Sequence, residues 1–134
     1  MDWTLEVVVV PVSDVDRAKE FYADVVGFKL DHDVRPTEAL RVVQLTPPGS
    51  GCSIVIGEGL GAMEPGSLDG VQLVVSDIDA ARAELVERGL DVSEIKQFEP
   101  VDRDGSRFVF FKDLDGNGWA VQEIRARGGA PQPD

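Results

Sequence analysis

The sequence predicts an α+β fold made of two βαβββ modules. Two observations predict it: a serine–aspartate motif that occurs twice, and a glycine-rich turn at the matching place in each half. With 134 residues the chain has the length of about one domain, so we expect a single domain over residues 1–134. Its two repeats are expected at about 4–57 and 69–125, followed by a flexible tail at 126–134.

The repeated motif is the strongest sign of two modules. Residues 12–19 read VSDVDRAK and residues 75–82 read VSDIDAAR, so five of the eight positions are identical. Self-similarity at a fixed spacing is the sequence signature of a repeated structural unit. Each copy also follows a β-branched run, at 7–10 and at 71–75, which suits a strand with much of both faces buried.

A helix is predicted after each motif. Apolar residues at helical spacing predict helices near 14–26 and 77–88. Ser13 and Ser76 are the predicted N-caps, each with an aspartate three residues later at the position of a capping-box acid. These acids and the glycines expected to end the helices are Asp16, Asp79, Gly27 and Gly89.

Three further strands are predicted after each helix. They lie near residues 28–35, 40–46 and 52–57 in the first half, and near 91–98, 107–112 and 119–125 in the second. The last two strands of each half are joined by a turn with the pattern Gly-x-Gly, at 49–51 and at 116–118. These matching turns complete the order β-α-β-β-β in both halves.

Charge and composition exclude several classes of function. The chain carries 13 Lys and Arg against 25 Asp and Glu, a net charge of −12, which disfavours nucleic acids and anionic membrane surfaces as partners. The longest apolar run, at 7–10 with its flanks, is too short to span a bilayer. The single cysteine, Cys52, allows no internal disulfide, and the N-terminus lacks the pattern of a secretory signal. We therefore expect a cytoplasmic protein.

Three segments resemble the vicinal oxygen chelate superfamily, which includes glyoxalases, bleomycin-resistance proteins and extradiol dioxygenases. They are PVSDVDRAKEFYADVVGF at 11–28, VVSDIDAARAELVERG at 74–89 and FFKDLDGNGWAVQE at 110–123. The resemblance covers roughly residues 4–125. It implies that eight strands form a half-open cup whose inner wall holds a ligand, a fold that serves both enzymes and plain binding proteins.

The resemblance also implies four metal-ligand positions, which enzymes of the family fill with His, Gln or Glu. Counting from the repeat motif and from the turns places Val7, Ser53, Gly70 and Ala120 at these positions. Because divalent metals need imidazole or carboxylate donors, we expect no bound metal and no cofactor. Glu123 would reach the cup only if the last strand were shifted in register by one residue.

A cup without a metal resembles the bleomycin-resistance type, which implies sequestration of an aromatic or cationic metabolite or drug. Gln72 interrupts an apolar strand and needs a polar partner, either the ligand or another side chain. Trp119 follows a tight turn and is the candidate for ring stacking. The remaining candidates for the cup wall are Val9, Arg41, Gln44, Phe110 and Gln122. Arg41 has a counterpart in Arg107, and the alternative for this pair is a role in surface ion pairs.

Two other functions stay open from the sequence. A metal-dependent lyase, isomerase or dioxygenase of the superfamily is the alternative, and the missing ligand set speaks against it. A protein that acts through a partner protein is the third, and a large apolar patch outside the cup would favour it. In each case we expect a homodimer, because half-open cups leave sheet edges and apolar faces that a second subunit covers.

Overall fold

The computed structural model describes residues 1–128 of the chain. The tail predicted to be flexible at 126–134 therefore falls largely outside the described part, which ends in a 3₁₀ helix at Arg125–Gly128. None of the described helices is long and apolar enough to cross a membrane.

The described chain forms two compact units. The first contains residues 1–68 and the segment 113–117, and the second contains residues 69–112 and those from 118 onward. That the two units make up a single domain stays a prediction of the sequence.

The first unit contains one βαβββ module. Its elements are β1 (Val7–Val9), α1 (Val15–Glu20) continued by a π-helical segment (Phe21–Val26), β2 (Lys29–Thr37), β3 (Leu40–Thr46) and β4 (Ser53–Glu58). The strand order across the sheet is β1-β4-β3-β2, with β1 parallel to β4 and the other pairs antiparallel. The helix predicted near 14–26 is confirmed, although its second half is π-helical.

The second unit contains the same arrangement. Its elements are β5 (Val71–Val75), α2 (Ile78–Glu87), β6 (Lys96–Gln97), β7 (Arg107–Lys112) and β8 (Gly118–Glu123). The strand order is β5-β8-β7-β6, again with the first strand parallel to the last. The identical order and directions in the two sheets confirm the two βαβββ modules that the sequence predicts. The strand predicted at 91–98 is shorter, because only β6 and a single bridge between Val92 and Phe111 pair with β7.

The helices are capped by aspartates and not by the serines before them. Asp14 accepts a hydrogen bond at 3.1 Å from the Arg17 N–H, and Asp77 accepts one at 3.1 Å from the Ala80 N–H. The prediction of serine caps was therefore wrong by one residue. In both motifs the serine and the aspartate are good caps, and the sequence pattern does not show which of them begins the helix.

Each sheet has a helix face, covered by the helix of its own unit, and a helix-free face. Side chains alternate along a strand, so the strand register decides which residues share a face. In the first unit the buried residues of the helix and the helix face are Val15, Ala18, Tyr22, Val43, Leu45, Ile54 and Ile56. In the second unit they are Ile78, Leu85, Val109, Phe111, Trp119, Val121 and Glu123.

A buried polar cluster lies in the first unit around Asn117, which is 0% exposed. Asn117 Nδ2 donates to the Pro11 carbonyl at 2.8 Å and to Asp113 Oδ2 at 2.7 Å, and Asn117 Oδ1 accepts from the Leu68 N–H at 3.1 Å. The Tyr22 hydroxyl also donates to Asp113 Oδ2, at 2.7 Å. Because buried polar groups are costly unless they are paired, this cluster fixes the position of the Gly-x-Gly turn.

Candidate functional site

The helix-free face of the second sheet combines aromatic and amide side chains. In the antiparallel pair of β7 and β8, Phe108 lies opposite Gln122 and Phe110 lies opposite Ala120. In the parallel pair of β5 and β8, Gln72 is the partner of Ala120. Since residues paired across strands point to the same side of a sheet, all five side chains lie on one face.

Three phenylalanine rings form a half-exposed cluster on this face. The rings of Phe108 and Phe110 are stacked with centroids 6.0 Å apart, and Phe98 meets Phe108 edge to face at 5.5 Å. Phe98 is 49% exposed and Phe110 is 38% exposed. We call these residues the phenylalanine cluster. Sequence reasoning missed Phe98, because it follows the short strand β6 and only the tertiary contact with Phe108 places it here.

The two glutamines of this face are hydrogen-bonded to each other. Gln72 Nε2 donates to Gln122 Oε1 at 2.7 Å, and Gln122 Nε2 donates to the Gly105 carbonyl at 2.8 Å. A Cβ atom on Gly105 would lie 3.1 Å from Gln122 Nε2 and the residue has φ of 93°, so glycine suits this close approach. Two of the three predicted glutamines thus share one face with predicted Phe110, and we call Gln72 and Gln122 the glutamine pair.

Two exposed lysines lie on this face. Lys96 lies opposite Phe108 on β6, and Lys112 lies opposite Gly118 at the end of β7. Both lysines are exposed. The carboxylate of Asp69 lies close to Gly118 on this face, so close that a Cβ atom on Gly118 would collide with it. Cationic groups are thus present at this face although the net charge of the chain is −12.

Trp119 lies on the opposite, helix face of the same sheet. It is 2% exposed, and its ring stacks on Phe111 with centroids 5.9 Å apart and an interplanar angle of 3°. The residue expected to offer a stacking surface is thus packed in the interior. The phenylalanine cluster supplies the exposed rings of this unit.

Arg41 also lies on a helix face, that of the first sheet. Its guanidinium donates to the two carboxylate oxygens of Asp33 at 3.0 and 2.8 Å, and to Asp16 in α1 at 2.9 Å. The hydrogen bond from Arg41 lowers the pKa of the Asp33 carboxyl well below its usual value. Arg41 therefore forms ion pairs within the first unit, which is the alternative to a place in the cup wall.

Arg107 repeats this arrangement in the second unit. It donates to Asp79 in α2 at 3.3 Å and to Glu123 at 3.4 Å. The predicted capping-box acids of both helices therefore face a strand arginine, and do not return to the backbone of the cap.

The two other predicted wall residues, Val9 and Gln44, lie on the helix-free face of the first sheet. Gln44 pairs with Val55, which pairs with Val9. Gln44 Nε2 donates to Asp31 Oδ2 at 3.2 Å, so its amide already has a partner in the first unit. The hydrogen bond from Thr46, and to a smaller extent the one from Gln44, lowers the pKa of the Asp31 carboxyl.

The first unit also has a small pocket of about 110 Å³ near Val9. It is lined by Val9, Val10, Pro11, Val12, Gly57, Gly59, Leu60, Gly61 and Met63.

The four positions implied for a metal do not fit one. Val7 and Ser53 are partners in the first sheet, whereas in the second sheet Ala120 pairs with Gln72, and the Gly70 N–H donates to the Gly118 carbonyl. One hydroxyl and no imidazole or carboxylate stand at these positions, which is not the donor set of a divalent-metal site.

Glu123 lies on the helix face of the second sheet. The register of β8 is unbroken with β5 up to Glu123 and with β7 up to Gln122, and Glu123 Oε2 accepts from the Ile78 N–H at 3.0 Å. Its carboxylate lies with those of Asp77 and Asp79 within 4.8 Å. Since Arg107 donates to two of these acids and Asp77 caps α2, each of the three already has a bonding partner in the unit.

The comparisons with known proteins agree with this fold. A model of the Glyoxalase/Bleomycin resistance protein/Dioxygenase superfamily matches residues 4–121. The crystal structure of TnmS3, described as an antibiotic binding protein from Streptomyces sp. CB03234, is 36% identical, covers 92% of this chain and 97% of its own, and has a TM-score of 0.79. A glyoxalase/bleomycin resistance protein from the same organism is 38% identical, covers 90% of this chain and 100% of its own, and has a TM-score of 0.76.

A third structure, a superfamily member from Sphaerobacter thermophilus DSM 20745, is 28% identical, covers 91% of this chain and 98% of its own, and has a TM-score of 0.77. No curated protein matches the chain. The family model spans most of the sequence, and two of these structures share more than a third of their residues with it. The chain therefore belongs to the Glyoxalase/Bleomycin resistance protein/Dioxygenase superfamily.

Proposed function

We propose that the protein binds and sequesters an aromatic small molecule, without a metal, on the helix-free face of the second sheet. The observation that carries this proposal is the phenylalanine cluster, which is half-exposed beside the glutamine pair. Binding sites for small molecules combine apolar and aromatic walls with a few polar groups that fix orientation. The description of TnmS3 as an antibiotic binding protein supports the same function.

An aromatic ligand fits this face better than a cationic one. The flat rings of Phe108 and Phe110 offer their faces and edges to a second ring system, an arrangement that contributes about 0.5–1.5 kcal/mol beyond burial. The exposed cations at Lys96 and Lys112 would repel a cationic ligand. The acidic character of the chain as a whole is then a matter of solubility.

Sequestration requires only that the ligand is removed from water. Apolar area contributes roughly 25 cal/mol per Å² when it is buried, so covering exposed rings gives affinity without any reaction. The proposal therefore assigns no nucleophile, acid or base to this face.

The experiment is calorimetric titration of the full chain with a panel of neutral planar aromatic compounds and of quaternary ammonium compounds. We expect binding of the aromatic compounds, weakened at least tenfold by Phe110→Ala and by Phe98→Ala, with folding checked by circular dichroism. The matched control is Phe111→Leu, because Phe111 lies on the helix face of the same strand. Equal binding by wild type and both alanine variants would contradict the proposal.

The metal-independent part has a test of its own. We expect elemental analysis of the purified protein to find no stoichiometric Zn, Fe, Ni or Mn, and binding to be unchanged by a chelator. About one metal per chain, or ligand binding lost on chelation, would favour the alternative of a metal-dependent lyase, isomerase or dioxygenase.

We also propose that the protein is a homodimer. The N-terminal segment exposes four apolar residues in alternation, Met1 at 102%, Trp3 at 87%, Leu5 at 70% and Val7 at 36%. At about 150–250 Å² for an aromatic side chain, this stripe offers on the order of 500 Å² per chain. Two copies would bury roughly 1,000 Å², the lower limit of a specific interface.

Light scattering tests the homodimer. One chain has a mass of 14.5 kDa, so the mass measured for the wild-type protein at micromolar concentration should be about twice this value. The double variant Trp3→Ser, Leu5→Ser should shift toward the monomer while keeping its circular dichroism spectrum. A monomeric wild type, or a dimer unchanged by the double variant, would contradict this role of the stripe.

A further inference from the structure

We infer that the ligand of the second sheet carries a hydroxyl group on its aromatic ring, and that this hydroxyl donates a hydrogen bond to Gln72 Oε1. This inference rests on the proposed function, because it specifies the ligand of the same face. It follows from the direction of the hydrogen bonds in the glutamine pair.

The Gly105 carbonyl fixes that direction. A backbone carbonyl can only accept a hydrogen bond, so the group of Gln122 that lies 2.8 Å from it must be the amide nitrogen. The oxygen of Gln122 is then the atom that faces Gln72. Because this oxygen can only accept, the Gln72 atom that lies 2.7 Å from it must be the amide nitrogen. The order of donors and acceptors in the glutamine pair therefore follows from the carbonyl of Gly105.

The consequence is that Gln72 presents its oxygen. Gln72 Oε1 has no hydrogen-bond partner among residues 1–128, and the side chain is exposed. One row of the sheet runs from Gln72 through Ala120 to Phe110. The small side chain of Ala120 thus separates an acceptor oxygen from an exposed ring, and a flat molecule lying over Ala120 would reach both.

The two lysines of this face indicate that the donor group of the ligand is neutral. An amine or another cation would approach Lys96 and Lys112, which are exposed on the same face. A phenolic hydroxyl is neutral, is a strong donor and belongs to a ring that can stack. These contacts therefore point to a hydroxylated planar aromatic compound.

The experiment compares 2-naphthol with 2-methoxynaphthalene and naphthalene by calorimetric titration of the full chain. The methoxy compound keeps the rings and the oxygen but has no hydrogen to donate. A site that is built to pair with a donor discriminates against the analogue that lacks it. We expect 2-naphthol to bind at least tenfold more tightly than either of the other two compounds.

Two variants and one control test the role of the glutamine pair. Gln72→Met should remove the preference for 2-naphthol while leaving the affinity for naphthalene unchanged. Gln122→Met should reduce the preference, because it frees the amide of Gln72 to rotate. Gln97→Met is the control, since Gln97 lies opposite Arg107 on the helix face and its side-chain amide donates to the Val101 carbonyl at 2.9 Å.

The outcomes separate the two proposals. If none of the three compounds binds, the aromatic site itself is wrong. If all three bind equally, or if Gln72→Met keeps the preference for 2-naphthol, the hydroxyl inference is overturned while aromatic binding stands.

Discussion

The helix faces of the two sheets are alike, whereas their helix-free faces differ. Arg41 on β3 and Arg107 on β7 occupy matching places, and each pairs with the aspartate in the first turn of its own helix. Each also pairs with a strand carboxylate, Asp33 in the first unit and Glu123 in the second. Both units therefore use the same contacts to hold a helix on a sheet.

The helix-free faces carry different side chains at matching places. Next to each arginine, β3 has Val42 and Gln44 where β7 has Phe108 and Phe110. In the first unit Gln44 bonds Asp31, and in the second the corresponding ring is exposed. The contacts that hold each helix on its sheet are therefore repeated in both copies, whereas the side chains of the helix-free face are not.

The Gly-x-Gly turns extend this comparison and give the largest expected effect. Asn117→Ala should lower the free energy of unfolding by about 3 kcal/mol, because it leaves several buried polar groups without partners. The matching residue of the first turn, Ser50, is exposed and its hydroxyl bonds the backbone of Cys52, so Ser50→Ala should cost less than about 0.5 kcal/mol. Urea unfolding measures both values, and equal costs would show that the two turns do not differ as described.

The exposed rings give the next effect. Phe110→Ala should weaken binding of 2-naphthol about tenfold or more, which corresponds to about 1.4 kcal/mol, because stacking and apolar burial are lost. Val42→Ala, at the place matching Phe108 in the first sheet, should change the affinity by less than threefold. Calorimetry decides between them, and a larger effect at Val42 would move the site to the first sheet.

The helix caps should give about the same effect in both units. Asp77→Ala should destabilise the protein by about 1 kcal/mol, because the Ala80 N–H loses its acceptor. Asp14→Ala should do likewise through the Arg17 N–H. Ser76→Ala should cost less than about 0.5 kcal/mol, and a greater loss there than for Asp77→Ala would restore the serine as the cap.

The smallest effect concerns acid. The folded-state pKa of Asp33 is lowered by Arg41 from an ordinary value of 3.8, so the pair stabilises the fold above that pH. This stabilisation is lost progressively as the pH falls below about 3.8, because Asp33 then binds a proton in the unfolded state before it does so in the folded state. We expect Asp33→Asn to lose about 0.5–1 kcal/mol at pH 7 and less at pH 3. Urea unfolding at both pH values tests this, and a loss that is larger at pH 3 would reverse the sign.

Local sequence patterns determined the module and its repetition. The two VSD motifs, the β-branched runs and the Gly-x-Gly turns depend on neighbours a few residues away, and they placed both helices and all eight strands in the right order. The helix starts were off by one residue and one strand was too long, since boundary residues are the least constrained by local periodicity. The family followed from the same motifs.

The candidate site could be predicted only in part. Gln72, Gln122 and Phe110 were named from the sequence and lie together on one face, whereas Trp119 and Arg41 lie on helix faces. A shift of one residue moves a side chain to the other face of a sheet, and the register is set by pairing between distant strands. The contact of Phe98 with Phe108 and the orientation of the glutamine pair by Gly105 follow from the three-dimensional fold alone, because they join segments that no local pattern connects.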